Sequence, residues 1–322
     1  MSDEGKVSRR EIVVGVDGSD GARAALLWAA AEAVRRNSPL EVVHSWIAVG
    51  DQAAARKMVE DAASTATLIY PDLVVTTSVP QMPPAEGVMA ASQDAAMLVV
   101  GSRGLGGFRG LLLGSVSAQC VEHARCSVVV VRDRSLPAEL GNGLVPGGAQ
   151  VVVGVDGSAG STAALRWAAA EAVRRQASLL VVCAWQPTPL GGYMVPPTEG
   201  YEDAADAIVD EAVAIAHRQE PELKVEVKRD FGAAVPVLVD AAREADLLVV
   251  GARGHGGFAG LLLGSTSQAV VRHAPCPVAV VRPDSAGAET EERDGREAED
   301  PGAGTPGGGT SAAGTAELAV SD

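Results

Sequence analysis

The sequence predicts an α/β fold written twice. Two tandem domains each carry a five-stranded, mostly parallel sheet in the order 3-2-1-4-5, with helices on both faces. Three observations predict it. Val13–Arg36 (VVGVDGSDGARAALLWAAAEAVRR) returns as Val152–Arg175 (VVGVDGSAGSTAALRWAAAEAVRR), and GLLLGSVSAQCVEHARCSVVVVR returns as GLLLGSTSQAVVRHAPCPVAVVR. A period of about 140 residues suits a duplicated domain rather than a solenoid unit. The strand candidates are continuous apolar runs separated by helical segments, the pattern of a parallel sheet covered on both faces. Finally, one glycine pattern occurs at matching places in both repeats. Gly101-Ser102-Arg103-Gly104 is followed by nine residues and Gly114-Ser115, and Gly251-Ala252-Arg253-Gly254 by nine residues and Gly264-Ser265.

In repeat one, Glu11–Val16 is the first strand and leads into Asp17-Gly18-Ser19. Ser19 or Asp20 is placed to cap the helix that follows. That helix runs to about Asn37, with Leu26, Ala30, Ala33 and Val34 on one face. Arg35 and Arg36 occupy its last turn, where cations suit the dipole. Leu40–Trp46 reads as the second strand, Asp51–Leu68 as a polar helix and Asp72–Val79 as the third strand. A shorter helix covers Pro84–Ser92. Met97–Val100 is the fourth strand, a helix starts at Ser115, and Ser127–Arg132 closes the domain. Repeat two follows the same order. Trp28, Trp46, Trp167 and Trp185 recur in pairs and read as core or interface packing.

These limits divide the chain into an extension (1–10), a first domain (11–132), a linker (133–149), a second domain (150–282) and a tail (283–322). The tail is acidic and Gly/Ala-rich, and is expected to be disordered. It carries about half of the net charge of −15, so the acidity is mainly a property of the tail. Without clustered Lys and Arg, nucleic acid is not an expected partner. No segment has the length of a membrane span, and the first residues lack the apolar core of a signal peptide. Cys120, Cys126, Cys183 and Cys276 form no C-x-x-C pair and read as inert thiols in a reducing compartment, so a cytoplasmic setting is expected.

A glycine-rich turn between a strand and a helix is where such folds cradle phosphates. Glycine permits close backbone approach, and the helix N-terminus offers unpaired N–H groups and a partial positive charge. In a 3-2-1-4-5 sheet, strands one and four are neighbours at the point where strand order reverses. Asp17 and Gly101 would then face one cleft beyond the carboxyl ends of the strands.

The glycine pattern, together with an Asp at the end of the first strand, resembles the universal stress protein family in its tandem-domain form. The resemblance implies two Rossmann-like domains of the adenine nucleotide alpha hydrolase-like kind, with ATP, alone or with Mg²⁺, as the bound cofactor. By the same resemblance, Gly15, Val16 and Asp17 line the nucleoside side. Ser45 lies where the backbone reads the adenine edge. Val100, Gly101, Arg103 and Gly104 wrap ribose and phosphates, and Gly114, Ser115, Val116 and Ser117 hold phosphates at a helix start. In repeat two these roles fall to Gly154, Val155, Asp156, Ala184, Val250, Gly251, Arg253, Gly254, Gly264, Ser265, Thr266 and Ser267.

Neither loop is followed by a Walker lysine, and no repeated Glu, His or Gln stands out to position water. The sequence therefore points to a nucleotide-dependent regulatory or stress-response protein with slow hydrolysis at most. The alternatives are a slow metal-dependent ATP hydrolase or a nucleotide-free interaction scaffold working through unknown protein partners. The apolar final strands, Ser127–Arg132 and Pro277–Arg282, predict an intrachain pseudo-dimer in which pairing protects both edges. A homodimer of chains is a further expectation.

Overall fold

A computed structural model describes residues 11–47, 51–106, 112–132, 150–186, 199–255 and 262–283, with the backbone alone at 199–201. The extension, the linker and, beyond Pro283, the tail lie outside the described residues. Repeat one runs β1 (Ile12–Gly15), α1 (Asp20–Arg36), β2 (Leu40–Val43), α2 (Gln52–Ile69), β3 (Val75–Ser78), α3 (Pro84–Ala91), β4 (Met97–Gly101), α4 (Ser115–His123) and β5 (Ser127–Val131). Repeat two runs β6 (Gln150–Gly154), α5 (Ala159–Arg175), β7 (Ser178–Trp185), α6 (Glu199–Gln219), β8 (Val225–Phe231), α7 (Ala234–Ala241), β9 (Leu247–Gly251), α8 (Ser265–His273) and β10 (Val278–Val281).

The strands form one sheet in the order β3-β2-β1-β4-β5-β10-β9-β6-β7-β8. Pairing is parallel within each repeat, in the 3-2-1-4-5 order on each side. It is antiparallel at the junction, where Val129 of β5 lies opposite Ala279 of β10. The described residues up to Pro283 belong to one compact unit.

Local chemistry explains the main elements. Ser19, not Asp20, is the N-cap of α1, and its side chain accepts a hydrogen bond from the Ala22 N–H; Ser158 does the same for α5 with Ser161. Asn37 and Gln176 end these helices in the left-handed region, at φ 49° and 54°. Alternate strand residues then serve two apolar layers. Ile12 and Val14 pack in the layer with α1 and α2, and Val13 packs in the layer with α3 and α4. Each fully buried Val or Leu contributes roughly 1.5–3 kcal/mol.

The outer strands depart from the expected continuous burial. β3 and β8 have only exposed and half-buried residues, because each is a sheet edge. β3 is also shorter than Asp72–Val79, since Pro71 and Asp72 form a turn. Charge guards β8, with half-buried Lys228 paired to Asp230 and Asp240 and exposed Arg229 paired to Asp206, a common protection of an edge against association.

At the junction, four charged residues of α1 and α5 form a buried ring. The Arg36 guanidinium donates to Glu32 and to Glu171, while Arg175 donates to Glu171 and, at 2.7 Å, to Glu32. Both carboxylates are fully buried. Arg36 also lies over the Trp167 ring and Arg175 over Trp28, at 5.2 and 5.3 Å from the centroids. Trp28 and Trp167 are therefore interface residues, and Arg36 has a larger role than complementing a helix dipole.

Candidate functional site

The site is built where β1 and β4 lie side by side. After β1 the chain turns at Asp17-Gly18-Ser19, and Gly18 takes φ 82°, as Gly157 does in repeat two. That conformation requires glycine. The Asp17 Oδ1 accepts hydrogen bonds from the Ser19 N–H at 3.0 Å and its hydroxyl at 2.6 Å. Its Oδ2 accepts from the Leu105 N–H, 2.9 Å away in the glycine loop. Asp156 repeats the pattern with Ser158 at 3.0 and 2.6 Å and the His255 N–H at 3.3 Å. The aspartate is thus both a turn former and the tie between the β1 turn and the loop after β4. Burial opposes the charge on Asp156, but hydrogen bonds from Ser158, Ser161 and His255 outweigh it and hold the carboxyl below the usual range.

The two loop glycines have different physical reasons. A Cβ on Gly104 would overlap the Asp17 carboxylate, and one on Gly254 would overlap that of Asp156. A Cβ on Gly101 would strike the backbone of Gly21, and one on Gly251 that of Gly160. Gly101 and Gly251 therefore allow α1 and α5 to pack closely on the ends of β4 and β9, whatever else they touch. Their partners Gly21 and Gly160 escaped the sequence reading, although D-G and A-G at a helix start carried the signal. Neither Gly101, Gly104 nor Gly114 has a positive φ.

Beyond the loop, Gly114 and Gly264 are the N-caps of α4 and α8, and no side chain caps either helix. The Gly114 N–H donates to the Ser102 carbonyl and that of Gly264 to the Ala252 carbonyl, both at 2.8 Å. The next N–H groups, of Ser115, Val116 and Ser117 or of Ser265, Thr266 and Ser267, have no carbonyl a turn behind them. The Ser117 hydroxyl is buried and donates to the Gly101 carbonyl at 2.6 Å, and Ser267 does the same to Gly251. These hydroxyls hold helix to strand, leaving only the N–H of each residue for an anion.

In repeat two, all twelve residues expected at the site line one cavity of about 370 Å³. Val182, Ala234 and Leu238 complete its apolar wall, and Ser161 and His255 its polar rim. None of these five was expected. Ala234 and Leu238 are one helical turn apart on α7, a spacing that could have placed them. In repeat one, Ser45 is buried, and its hydroxyl donates to the Met82 carbonyl at 2.7 Å. The N–H groups of His44 and Trp46 go to Ser78 and Pro80 on the β3 side, so by alternation the Ser45 backbone faces the β1 side. The His44 Nδ1 lies 2.7 Å from the Val16 carbonyl. Its counterpart Cys183 lies within β7, which continues to Trp185. Arg103 and Arg253 are exposed on their loops. Phe108 and Phe258, which follow Gly-Gly in the two loops and are expected from the sequence to pin them to the domain, lie outside the described residues.

Among the described residues, no cluster of three or more His, Cys, Asp or Glu is arranged to hold a metal. No helix there is long and apolar enough to cross a membrane. All four cysteines are free.

The profile of the Universal stress protein family matches residues 8–132 and 149–282. The universal stress protein Rv2623 of Mycobacterium tuberculosis is 33% identical over 299 residues, covering 84% of this chain and 96% of the relative. A second protein of that organism, universal stress protein Rv2005c, is 35% identical over 300 residues, again covering 84% and 96%. A solved universal stress protein from Archaeoglobus fulgidus aligns with a TM-score of 0.59 at 19% identity. It covers 84% of this chain and 98% of its own, a likeness of fold.

Proposed function

This chain belongs to the universal stress protein family, and from that premise we propose that each repeat binds ATP, or a close adenine nucleotide, as a regulatory ligand. The observation that carries this reading is the convergence in repeat two. Twelve residues drawn from the ends of β6, β7 and β9 and from the start of α8 line a single cavity. Its volume of about 370 Å³ lies within the range of roughly 300–1,000 Å³ usual for small-ligand sites.

The chemistry divides along the cavity. Val182, Ala234 and Leu238 offer an apolar wall for a base, with the Ala184 backbone beside it. Asp156 keeps a charged carboxylate that accepts ribose hydroxyls better than a neutral group. The uncapped start of α8 offers N–H groups and the positive end of its dipole to phosphates. Arg253 supplies a charge-assisted contact. Mg²⁺, when bound, would neutralise phosphate charge beside the Ser265 hydroxyl. Repeat one has the same set in Asp17, Arg103 and α4, with Ser45 for Ala184 and Leu105 for His255.

The proposal includes slow turnover at most, in a cytoplasmic setting, with the nucleotide state read by a partner protein. Calorimetry of the full chain with ATP and Mg²⁺ tests it. The expected result is binding at up to two sites of unequal affinity, with phosphate release far below an ordinary enzyme rate of about 10 per second. Absence of adenine-nucleotide binding would overturn the reading. A fast metal-dependent rate lost in the double variant Asp17→Ala/Asp156→Ala would turn it into that of an ATP hydrolase.

A further inference from the structure

The junction holds two arginines whose side chains cross between repeats. Arg132, directly after β5, donates to the Val271 carbonyl at 2.9 Å and to that of Arg272. Those carbonyls belong to the last turn of α8, in repeat two. Arg282, directly after β10, donates to the Val121 and Glu122 carbonyls at 2.7 and 2.8 Å, in the last turn of α4 in repeat one. The antiparallel junction makes this exchange geometrically natural, since each final strand ends where the other repeat's helix ends.

The two helices are short, nine residues each, and each has its uncapped N-terminus at the candidate site. A guanidinium on the last carbonyls fixes the final turn and neutralises the negative end of the dipole, which leaves the positive end less opposed. A backbone path also leads back to the arginine's own repeat. The Ser102 N–H donates to the Val131 carbonyl at 2.7 Å, beside Arg132, and the Ser102 carbonyl accepts from the Gly114 N–H at 2.8 Å. The Ala252 N–H, Val281 carbonyl and Gly264 N–H repeat this at 2.8 Å each.

We propose that Arg132 and Arg282 are positioning residues acting in trans: each sets the phosphate-binding helix of the opposite repeat, so that the two nucleotide sites are not independent. This rests on the nucleotide reading above. By linkage, a ligand that tightens one loop and its arginine strengthens the other site, and the effect is reciprocal.

The test uses the full chain with one site closed. In a Gly254→Glu background, repeat one alone binds, and calorimetry with ATP and Mg²⁺ reads its affinity. Adding Arg282→Ala is expected to weaken that affinity roughly three- to ten-fold, although Arg282 belongs to repeat two. Arg282→Lys, which keeps the charge and one donor, should restore most of it. The reciprocal pair is Arg132→Ala and Arg132→Lys in a Gly104→Glu background. Denaturant midpoints confirm folding, and where an alanine variant does not fold, Arg282→Gln or Arg132→Gln, which keeps a donor without the charge, takes its place with the same expected loss. Unchanged affinity in the folded alanine or glutamine variants would overturn the trans role alone. A parent chain that binds no adenine nucleotide would overturn the nucleotide reading, and this inference with it.

Discussion

Gly157, in the turn after β6, and Gly254, in the loop after β9, respond to different physics. Gly157 sits at φ 82°, where a side chain is strained by the backbone. Gly157→Ala should therefore lower stability by about 1 kcal/mol or more while sparing the pocket lining, a shift read in the urea midpoint. Gly254 has no positive φ, and its missing Cβ leaves room for the Asp156 carboxylate. Gly254→Ala should cost little stability and displace that carboxylate. The expected loss is roughly 1–3 kcal/mol of nucleotide affinity in repeat two. Calorimetry distinguishes the two variants, and equal behaviour would show that the close approach has no bearing on binding. His255, beside Asp156, has Leu105 as its counterpart, so His255→Leu should narrow any difference in affinity between the repeats.

α1 and α5 show what an element contributes beyond its pattern. Their buried ring places two carboxylates against two guanidiniums at the repeat junction. Burial opposes the charge on Glu171, but Arg175 and Arg36 outweigh it and hold its pKa down at about 2. For Glu32, burial and the neighbouring Glu171 charge win, and its carboxyl is pushed up. The signs follow. The contribution of Glu171 is complete above its unfolded value near 4.5 and is lost as pH falls through about 2. Glu32 favours the fold when protonated, and its share is lost as pH rises through its raised value. Glu171→Gln should destabilise the chain by about 3–5 kcal/mol at neutral pH, because it leaves buried guanidiniums short of charge. The loss should shrink toward pH 2, and urea unfolding across pH 2–7 checks both statements. The strands and helices, the candidate caps and the glycine loop were legible in the sequence because periodicity and turn chemistry are local, and the strand order came with the fold class. The ring was not, because Glu32 and Arg175 meet across 143 residues and each looks like an ordinary helix-surface charge. The tie from the Ser117 hydroxyl to the Gly101 carbonyl was not legible for a related reason, since a serine at a helix start signals an anion site or a helix–strand tie equally well.

At the scale of the molecule, the two repeats share one ten-stranded sheet through β5 and β10. Residues 1–132 expressed alone would bare the apolar edge of β5 and leave Glu32 without Arg175. This fragment should pair with a second copy or aggregate, and sedimentation would read either outcome; a stable monomer would show that the junction is dispensable to the fold. The antiparallel seam has one more consequence. Parallel strands place a ligand beyond their carboxyl ends, and those ends point one way in repeat one and the other way in repeat two. The cavity of repeat two and the matching residues of repeat one therefore lie at opposite margins of the sheet. No single small docking domain can cover both. If each repeat takes a nucleotide as proposed, a protein that reads one filled site would leave the second open to another reader, so one chain would bridge two partners.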